Sequence, residues 1–137
     1  MVKVLTPGDS RLLSLPGRRS REILAAATGA VCSTLRYVEI DPQQPGAPRR
    51  GPHVHSGFEE CIYVMSGSGT MQAESGEHPV NAGDTVLVPA GERHVTHNTG
   101  NEVLTLLCFF PTGDVGAGTT EFESWELSGK QSGEKPE

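Results

Sequence analysis

The sequence predicts an all-β fold, a small sandwich or barrel, on three observations. Gly and Pro supply 17 and 10 of the 137 residues, and both residue types interrupt helix interiors. Apolar residues alternate with polar ones or form short runs, as half-buried strands require. Clusters of Gly, Pro, Asn and Asp separate these runs and favour tight turns. The length suits one domain with one core.

Six segments are expected to form strands, because each combines apolar alternation with flanking turn residues. They are residues 31–40, 59–65, 70–73, 85–88, 92–97 and 102–110. Residues 70–73 are expected to pair back on residues 59–65 as a hairpin through the Gly-rich turn at 66–69. Residues 121–127 are expected to add an edge strand. Residues 41–52 contain four prolines and predict a loop.

The domain is expected to cover residues 1–127 as a single barrel, followed by a flexible polar tail at 128–137. Residues 1–30 include one possible turn of helix at 23–28, and this segment could be exchanged between the subunits of a homodimer. Unpaired strand edges give a physical reason for such a dimer.

Charge and hydropathy exclude two classes of partner. The net charge of −6 argues against a phosphate-binding face, so no nucleic acid is expected. No apolar run approaches the roughly 18 residues that cross a bilayer, so no membrane association is expected. Arg18 and Arg19 precede a short apolar run, a pattern similar to an export signal. Glu22 interrupts this pattern, so a cytoplasmic location is expected.

The three cysteines are odd in number and lack a CxxC spacing. Each lies in an apolar run, which predicts buried reduced thiols at Cys32, Cys61 and Cys108.

A cluster of histidines and a glutamate predicts a metal site. His53 and His55 are two residues apart, so in an extended segment their rings point to the same side. His94 follows a Pro-x-Gly turn in a later strand. Glu59 and Glu60 are adjacent on a strand, so only one can face inward. Three imidazoles and one carboxylate inside a barrel would bind a divalent transition metal.

The spacing of these residues resembles the two motifs of the cupin superfamily. The first motif, G(x)5HxH(x)3–4E(x)6G, is matched by His53, His55, Glu60 and Gly67, although Ala47 stands at its leading glycine. The second motif, G(x)5PxG(x)2H(x)3N, is complete, with Gly83, Pro89, Gly91, His94 and Asn98. The resemblance is specific over residues 51–98 and rests on pattern alone outside them.

The resemblance implies a single-domain cupin jelly-roll β-barrel that holds one divalent transition metal per chain (Fe, Mn, Ni, Co, Zn or Cu). The implied ligands are His53, His55, Glu60 and His94. The six-residue spacing to Gly67 favours Glu60, and Glu59 is the alternative because the motif also permits the shorter spacing.

The residues around this site predict its surroundings. Thr96 shares the face of His94, whereas His97 and His78 are expected at the surface. Asn98 is expected to organise the turn that follows it. Arg36 or Tyr37 could reach the pocket mouth, and an inward arginine would favour a carboxylate substrate. One face of the 102–110 strand should line the pocket, and the sequence leaves open which.

Three functions fit the resemblance, because cupins are functionally broad. The first is a metal-dependent enzyme that acts on a small oxygen-bearing or carboxylate substrate. Dioxygenase-type chemistry is expected, and a lyase, isomerase or cyclase reaction is the alternative. Glu60 and His94 would take part in catalysis. The second is a non-catalytic metal-containing protein that binds a small ligand. The third is a metal-free cupin whose histidines perform acid–base chemistry. No GxSxG elbow or phosphate-binding Gly-rich loop competes with these interpretations.

Overall fold

The computed structural model describes residues 1–126, and within this range the chain forms two antiparallel sheets. The 11 strands of the described residues are β1 (Arg11–Leu13), β2 (Arg19–Leu24), β3 (Thr34–Ile40), β4 (His53–His55), β5 (Glu60–Ser66), β6 (Ser68–Ala73), β7 (Gly76–Asn81), β8 (Thr85–Val88), β9 (His94–His97), β10 (Leu104–Phe110) and β11 (Thr119–Glu121). Three 3-10 turns accompany them at Pro7–Asp9, Ala26–Thr28 and Gly116–Gly118. The predicted all-β jelly-roll fold is confirmed.

The two sheets pack face to face, and their order decides which side chains meet. The six-stranded sheet has the order β1-β2-β3-β10-β5-β8, and the five-stranded sheet has the order β11-β4-β9-β6-β7. Consecutive strands therefore often lie in different sheets. β4 and β5 face each other across the interior, although only a short turn separates them in sequence.

The core lies between the sheets and follows the two-residue period of the strands. In β5 the buried positions are Glu60, Ile62 and Val64, and in β3 they include Arg36 and Val38. Ile62 and Val64 belong to one apolar cluster of buried side chains that spans both sheets. Full burial of such a side chain stabilises the fold by about 1.5–3 kcal/mol. The polar inward positions lie beside this cluster, toward one end of the sandwich.

The hairpin predicted between residues 59–65 and 70–73 is wrong. β6 pairs with β7 and β9 in the five-stranded sheet, whereas β5 pairs with β10 and β8. Gly67 makes the turn with a φ of +87°, and a Cβ there would lie 2.6 Å from the Val103 carbonyl oxygen. The turn thus leads the chain from one sheet to the other, and only glycine tolerates both the φ and the close approach.

The other predicted strands are present with shorter or shifted ends, and residues 41–52 contain no strand or helix. The predicted edge strand at 121–127 is wrong over its described part, because the strand is Thr119–Glu121 and residues 122–126 leave the sheet; Leu127 lies outside the described residues. β1, β2 and β7 were not predicted. Their short or polar sequences lack strong apolar alternation.

Two predictions about individual side chains are also wrong. Cys32 is exposed and Cys61 is half-buried, and only Cys108 is buried among the free cysteines. His97 is buried instead of exposed. Its Nε2 donates a hydrogen bond of 2.9 Å to Gln72 Oε1 on the neighbouring strand. His78 lies at the surface as predicted. Within residues 1–126, no helix has the length and apolar character needed to span a membrane.

Candidate metal centre

The four predicted donors converge from three strands and from both sheets. β4 carries His53 and His55, and β9 carries His94, which lies opposite His53 in the antiparallel register. Glu60 is the first residue of β5 and comes from the facing six-stranded sheet. The centre therefore forms only when the two sheets pack together.

The donor atoms are close enough to share one ion. One ligand atom from each of His53, His55, Glu60 and His94 lies within 4.8 Å of all the others. Glu60 Oε1 lies 3.2 Å from the Nε2 atoms of both His55 and His94. His53 packs against His94 with ring centroids 4.3 Å apart. His55, Glu60 and His94 are at least 95% buried, so the group lies away from bulk solvent.

Hydrogen bonds at the far side of two rings fix their tautomers. His94 Nδ1 lies 2.9 Å from the Glu92 carbonyl oxygen, which can only accept, so Nδ1 carries the hydrogen. His55 Nδ1 lies 2.9 Å from Thr119 Oγ1. The Thr119 hydroxyl hydrogen is already donated to the Val115 carbonyl oxygen at 2.7 Å, so Oγ1 accepts from His55. Neutral His55 and His94 therefore direct the lone pairs of Nε2 inward.

These lone pairs face the Glu60 carboxylate, and either a proton on Nε2 or a metal ion between the acceptors relieves their repulsion. Burial raises the pKa of Glu60, but hydrogen bonds with His55 and His94 outweigh it and hold that pKa below its ordinary value. Burial lowers the pKa of His94, but the interactions of this ring with Glu60 outweigh burial, so the pKa of His94 is raised overall. The carboxylate thus attracts positive charge to Nε2, and the donor set fits a divalent transition metal.

His53 completes the set as a neutral imidazole. Its pKa lies well below the ordinary value, because the ring is desolvated and is repelled by positive charge at His94 and His55. A ring that resists protonation keeps a lone pair for a metal over the neutral pH range.

The choice between the two glutamates follows from their burial. Glu60 points into the sandwich with Ile62 and Val64, as the alternation predicted. Glu59 is exposed on the opposite side of the chain. The structure therefore brings Glu60, and not Glu59, to the histidines.

A cavity of about 50 Å³ adjoins the donors. Its lining includes Thr96 and the inward face of β10, namely Leu106, Cys108 and Phe110. Arg36 is 4% exposed, lines the same cavity and lies with its guanidinium carbon 5.3 Å from the Phe110 ring centroid. Burial and the nearby Glu60 raise the pKa of the Cys108 thiol well above its ordinary value, so this sulfur stays protonated.

Asn98 organises the turn after β9, as predicted. Its amide nitrogen donates to the carbonyl oxygens of Ile40 at 2.8 Å and Glu102 at 2.7 Å, and its side-chain oxygen accepts from the Gly100 amide. Asn98 therefore supports the strand that carries His94.

Three residues near the site were not predicted from the sequence. Thr119 orients His55 from β11, and Arg18 and Arg50 line the cavity from irregular segments. Thr119 belongs to a short strand without apolar alternation, and the arginines resemble solvent-exposed loop residues. No local sequence signal distinguishes them.

Comparison with known proteins gives a family match over the central strands. The Cupin domain family matches residues 37–110, more than half of the chain. The oxalate-binding protein of Thermotoga maritima is 37% identical over 57 residues, which cover 42% of this chain and 47% of that protein. Protein SchB of Streptomyces halstedii is 29% identical over 85 residues, 61% of each chain. The chain thus spans about half to three fifths of these curated relatives.

Solved structures share the fold at low identity. The oxalate decarboxylase of Lactobacillus farciminis, in a formate complex, superposes with a TM-score of 0.70 at 21% identity, over 90% of this chain and 36% of that one. The polyketide cyclase RemF of Streptomyces resistomycificus superposes with a TM-score of 0.64 at 23% identity, over 81% and 80%. These likenesses describe the architecture, and the chemistry must be argued from the side chains.

Proposed function

This chain belongs to the cupin family, and on that premise we propose that it is a metal-dependent enzyme acting on a small oxygen-bearing substrate. The observation that carries the proposal is the convergence of four donor atoms within 4.8 Å of one another beside a cavity. Two of the three imidazoles have their tautomers fixed by hydrogen bonds on the opposite ring nitrogen. With Nδ1 protonated in this way, Nε2 of each ring is the atom that would bind a metal.

His53, His55, Glu60 and His94 would hold one divalent transition metal, and its identity is open among Fe, Mn, Ni, Co, Zn and Cu. When bound, such an ion polarises an oxygen atom of the substrate or holds a second small reactant beside it. Glu60 supplies the negative charge of the donor set, and its low pKa keeps it ionised near neutral pH. We assign Glu60 and His94 to catalysis as well, because both donors border the cavity where the substrate would bind.

Dioxygenase-type oxidation is the reaction we propose first. A lyase, isomerase or cyclase reaction on the same donors is the alternative. The buried site supports either, because Ile62, Leu106 and Phe110 shield the reacting atoms from bulk water.

A non-catalytic binding protein is the second candidate. The small cavity, about 50 Å³, favours it because little room remains for a second reactant beside a bound ligand. The curated relative from Thermotoga maritima is named for binding rather than for a reaction. We rank the metal-free alternative third, because the complete set of four donors within 4.8 Å is the arrangement that a transition metal requires.

The test measures the metal content of purified protein by inductively coupled plasma mass spectrometry and then oxygen uptake with a panel of enediols, diketones, phenols and small carboxylic acids. Stoichiometric metal with turnover supports the enzyme. Stoichiometric metal with saturable binding but no turnover or product supports the binding protein. Protein that takes up no metal on reconstitution contradicts both.

The predicted homodimer and cytoplasmic location remain predictions. Sedimentation velocity decides the first, and a homodimer would give a single species of twice the 14.6 kDa chain mass. The single-domain boundary at residue 127 is likewise a proposal, which limited proteolysis would test.

A further inference from the structure

We propose that the ligand of this cavity is a small carboxylate, held at the mouth by Arg18 and Arg50 and by the hydroxyl of Ser20, while its other oxygen atoms face the metal donors. The inference rests on the proposed function, because it names the substrate class of the same site. It is supported by the charge, burial and hydrogen bonding of residues other than the four proposed metal ligands.

Arg50 is placed at the cavity by packing on one side and by a hydrogen bond on the other. Its Nη2 donates to the Thr96 carbonyl oxygen on β9. Gly17 packs against it so closely that a Cβ would lie 2.5 Å from Arg50 Cδ. The pKa of Arg50 is lowered to about 10, mainly by burial. The charge of Arg18 also lowers this pKa, whereas the charge of Glu121 raises it. Arg50 therefore remains a cation at neutral pH.

Arg18 brings a second positive charge from the turn between β1 and β2. Arg18 Nη1 donates to the Pro16 carbonyl oxygen at 2.9 Å, which holds the side chain over its own turn. Both arginines line the cavity that contains the metal donors. Two like charges repel each other, as the effect of Arg18 on the pKa of Arg50 indicates. An anion between them would remove that repulsion.

Ser20 adds a polar atom that has no partner. It is 1% exposed on β2, it lines the cavity, and its Oγ has no hydrogen-bond partner among residues 1–126. A buried hydroxyl without a partner is destabilising, because it has lost its hydrogen bonds to water. A ligand oxygen in the cavity would satisfy it.

The charge balance of the lining favours an anion. The lining contains three arginines, Arg18, Arg36 and Arg50, and one carboxylate, that of Glu60. Glu22 lies 3.6 Å from Arg36 and offsets its charge, and Glu121 acts on Arg50. A divalent ion at the donor set would leave the site with a net positive charge even after Glu60, Glu22 and Glu121 are included. A guanidinium fork matches the two oxygens of a carboxylate.

The cavity is small, since the space open to the centre of a water-sized group is about 50 Å³. This size favours a short acid with a second oxygen function over a bulky ligand.

The experiment is isothermal titration of metal-loaded full-length chain with oxalate, malonate and succinate, and with oxamide as a neutral isostere of oxalate. Oxalate or malonate is expected to bind at least about tenfold more tightly than oxamide, because charged hydrogen bonds are lost with the neutral ligand. Inorganic phosphate is the competing anion, and tighter binding of phosphate than of any of the carboxylates would overturn the proposal.

Arg50→Gln is expected to weaken binding of the best carboxylate by about ten- to a hundredfold, and Arg50→Lys by less, because the charge is retained. Arg18→Gln and Ser20→Ala test the same contact if Arg50→Gln does not fold. Arg21→Gln is the matched control, because this exposed arginine lies outside the cavity. Metal content and melting temperature are measured for every variant.

The outcomes separate this inference from the proposed function. Full metal content with equal affinity for oxalate and oxamide, or with unchanged affinity in all three cavity variants, overturns the carboxylate site alone. Absence of metal in the wild-type chain overturns the proposed function. Carboxylate binding that still depends on Arg50 in such a metal-free chain would support the anion site by itself.

Discussion

The two ends of the cavity are built in different ways. At the metal end all four donors lie in strands, and the ladders of two sheets hold them at their separations. At the mouth Arg18 and Arg50 lie outside the strands, and their positions depend on single contacts with Pro16, Thr96 and Gly17. The proposals above assign metal binding to the strand-held end and ligand binding to the loop-held end.

The largest expected effect is the loss of metal when a strand-held histidine is removed. His94→Ala and His55→Ala should each reduce the metal stoichiometry from about one per chain to near zero, because each variant loses one of the four donors and one of the two imidazole contacts of the Glu60 carboxylate. Metal analysis after dialysis measures this. His78→Ala is the control, since His78 is exposed and is not one of the four donors. Retention of metal by both variants would contradict the assignment of the metal site to these strand histidines.

The choice of carboxylate gives the next effect. Glu60→Gln should weaken metal binding by about a hundredfold or more, because it removes the negative charge of the donor set and a charge-assisted contact. Glu59→Gln, the neighbouring exposed glutamate, should leave the affinity within about twofold. Competition with a chromophoric chelator measures both variants. The reverse order would show that Glu59 is the ligand.

A smaller loss is expected when the support of a ligand is removed. Thr119→Val keeps the shape of the side chain but removes the acceptor of the His55 Nδ1 hydrogen, so metal affinity should fall by about 10- to 100-fold. Thr120→Val is the matched control on the same strand. Chelator competition with an accompanying thermal melt separates lost affinity from lost stability. Equal affinities for the two variants would contradict the assigned tautomer.

The difference between the two ends also explains what could be predicted from the sequence. The donors lie in strands whose two-residue period assigns a face to each side chain, so the shared side of His53 and His55 was predictable from spacing. The period left Glu59 and Glu60 open, and the resemblance to the cupin motif favoured Glu60. The turn at Gly67 was recognised, but its destination in the other sheet was not. Turn chemistry specifies a change of direction, whereas sheet membership depends on pairing with distant strands.

The mouth could not be predicted for a related reason. Arg50 follows a Pro-rich loop and Arg18 precedes a strand without strong alternation, so neither has a period that assigns it a face. The approach of Arg50 to the cavity depends on contacts with residues more than thirty positions away in sequence, such as Gly17. Burial of His97 was missed similarly, because its partner Gln72 lies on another strand.

The smallest effect concerns the loop-held end. Gly17→Ala and Gly46→Ala both place a side chain at positive φ, +72° and +78°, and each should destabilise the fold by about 1–2 kcal/mol. Only the Cβ at position 17 would displace Arg50, since position 46 has no atom within 4 Å. Gly17→Ala should therefore weaken carboxylate binding about three- to tenfold, and Gly46→Ala should not. Titration calorimetry of both metal-loaded variants measures this, and equal affinities would show that Gly17 does not position Arg50.

The most direct test of the account is the transition-metal content of the wild-type chain, purified without chelators and reconstituted separately with Fe, Mn, Ni, Co, Zn and Cu. Elemental analysis after removal of free ions should give about one ion per chain for at least one metal. An edge-energy or anomalous-scattering signal should place that ion among His53, His55, Glu60 and His94. A chain that retains no ion under any of these conditions, or an ion bound away from these four side chains, would contradict the account.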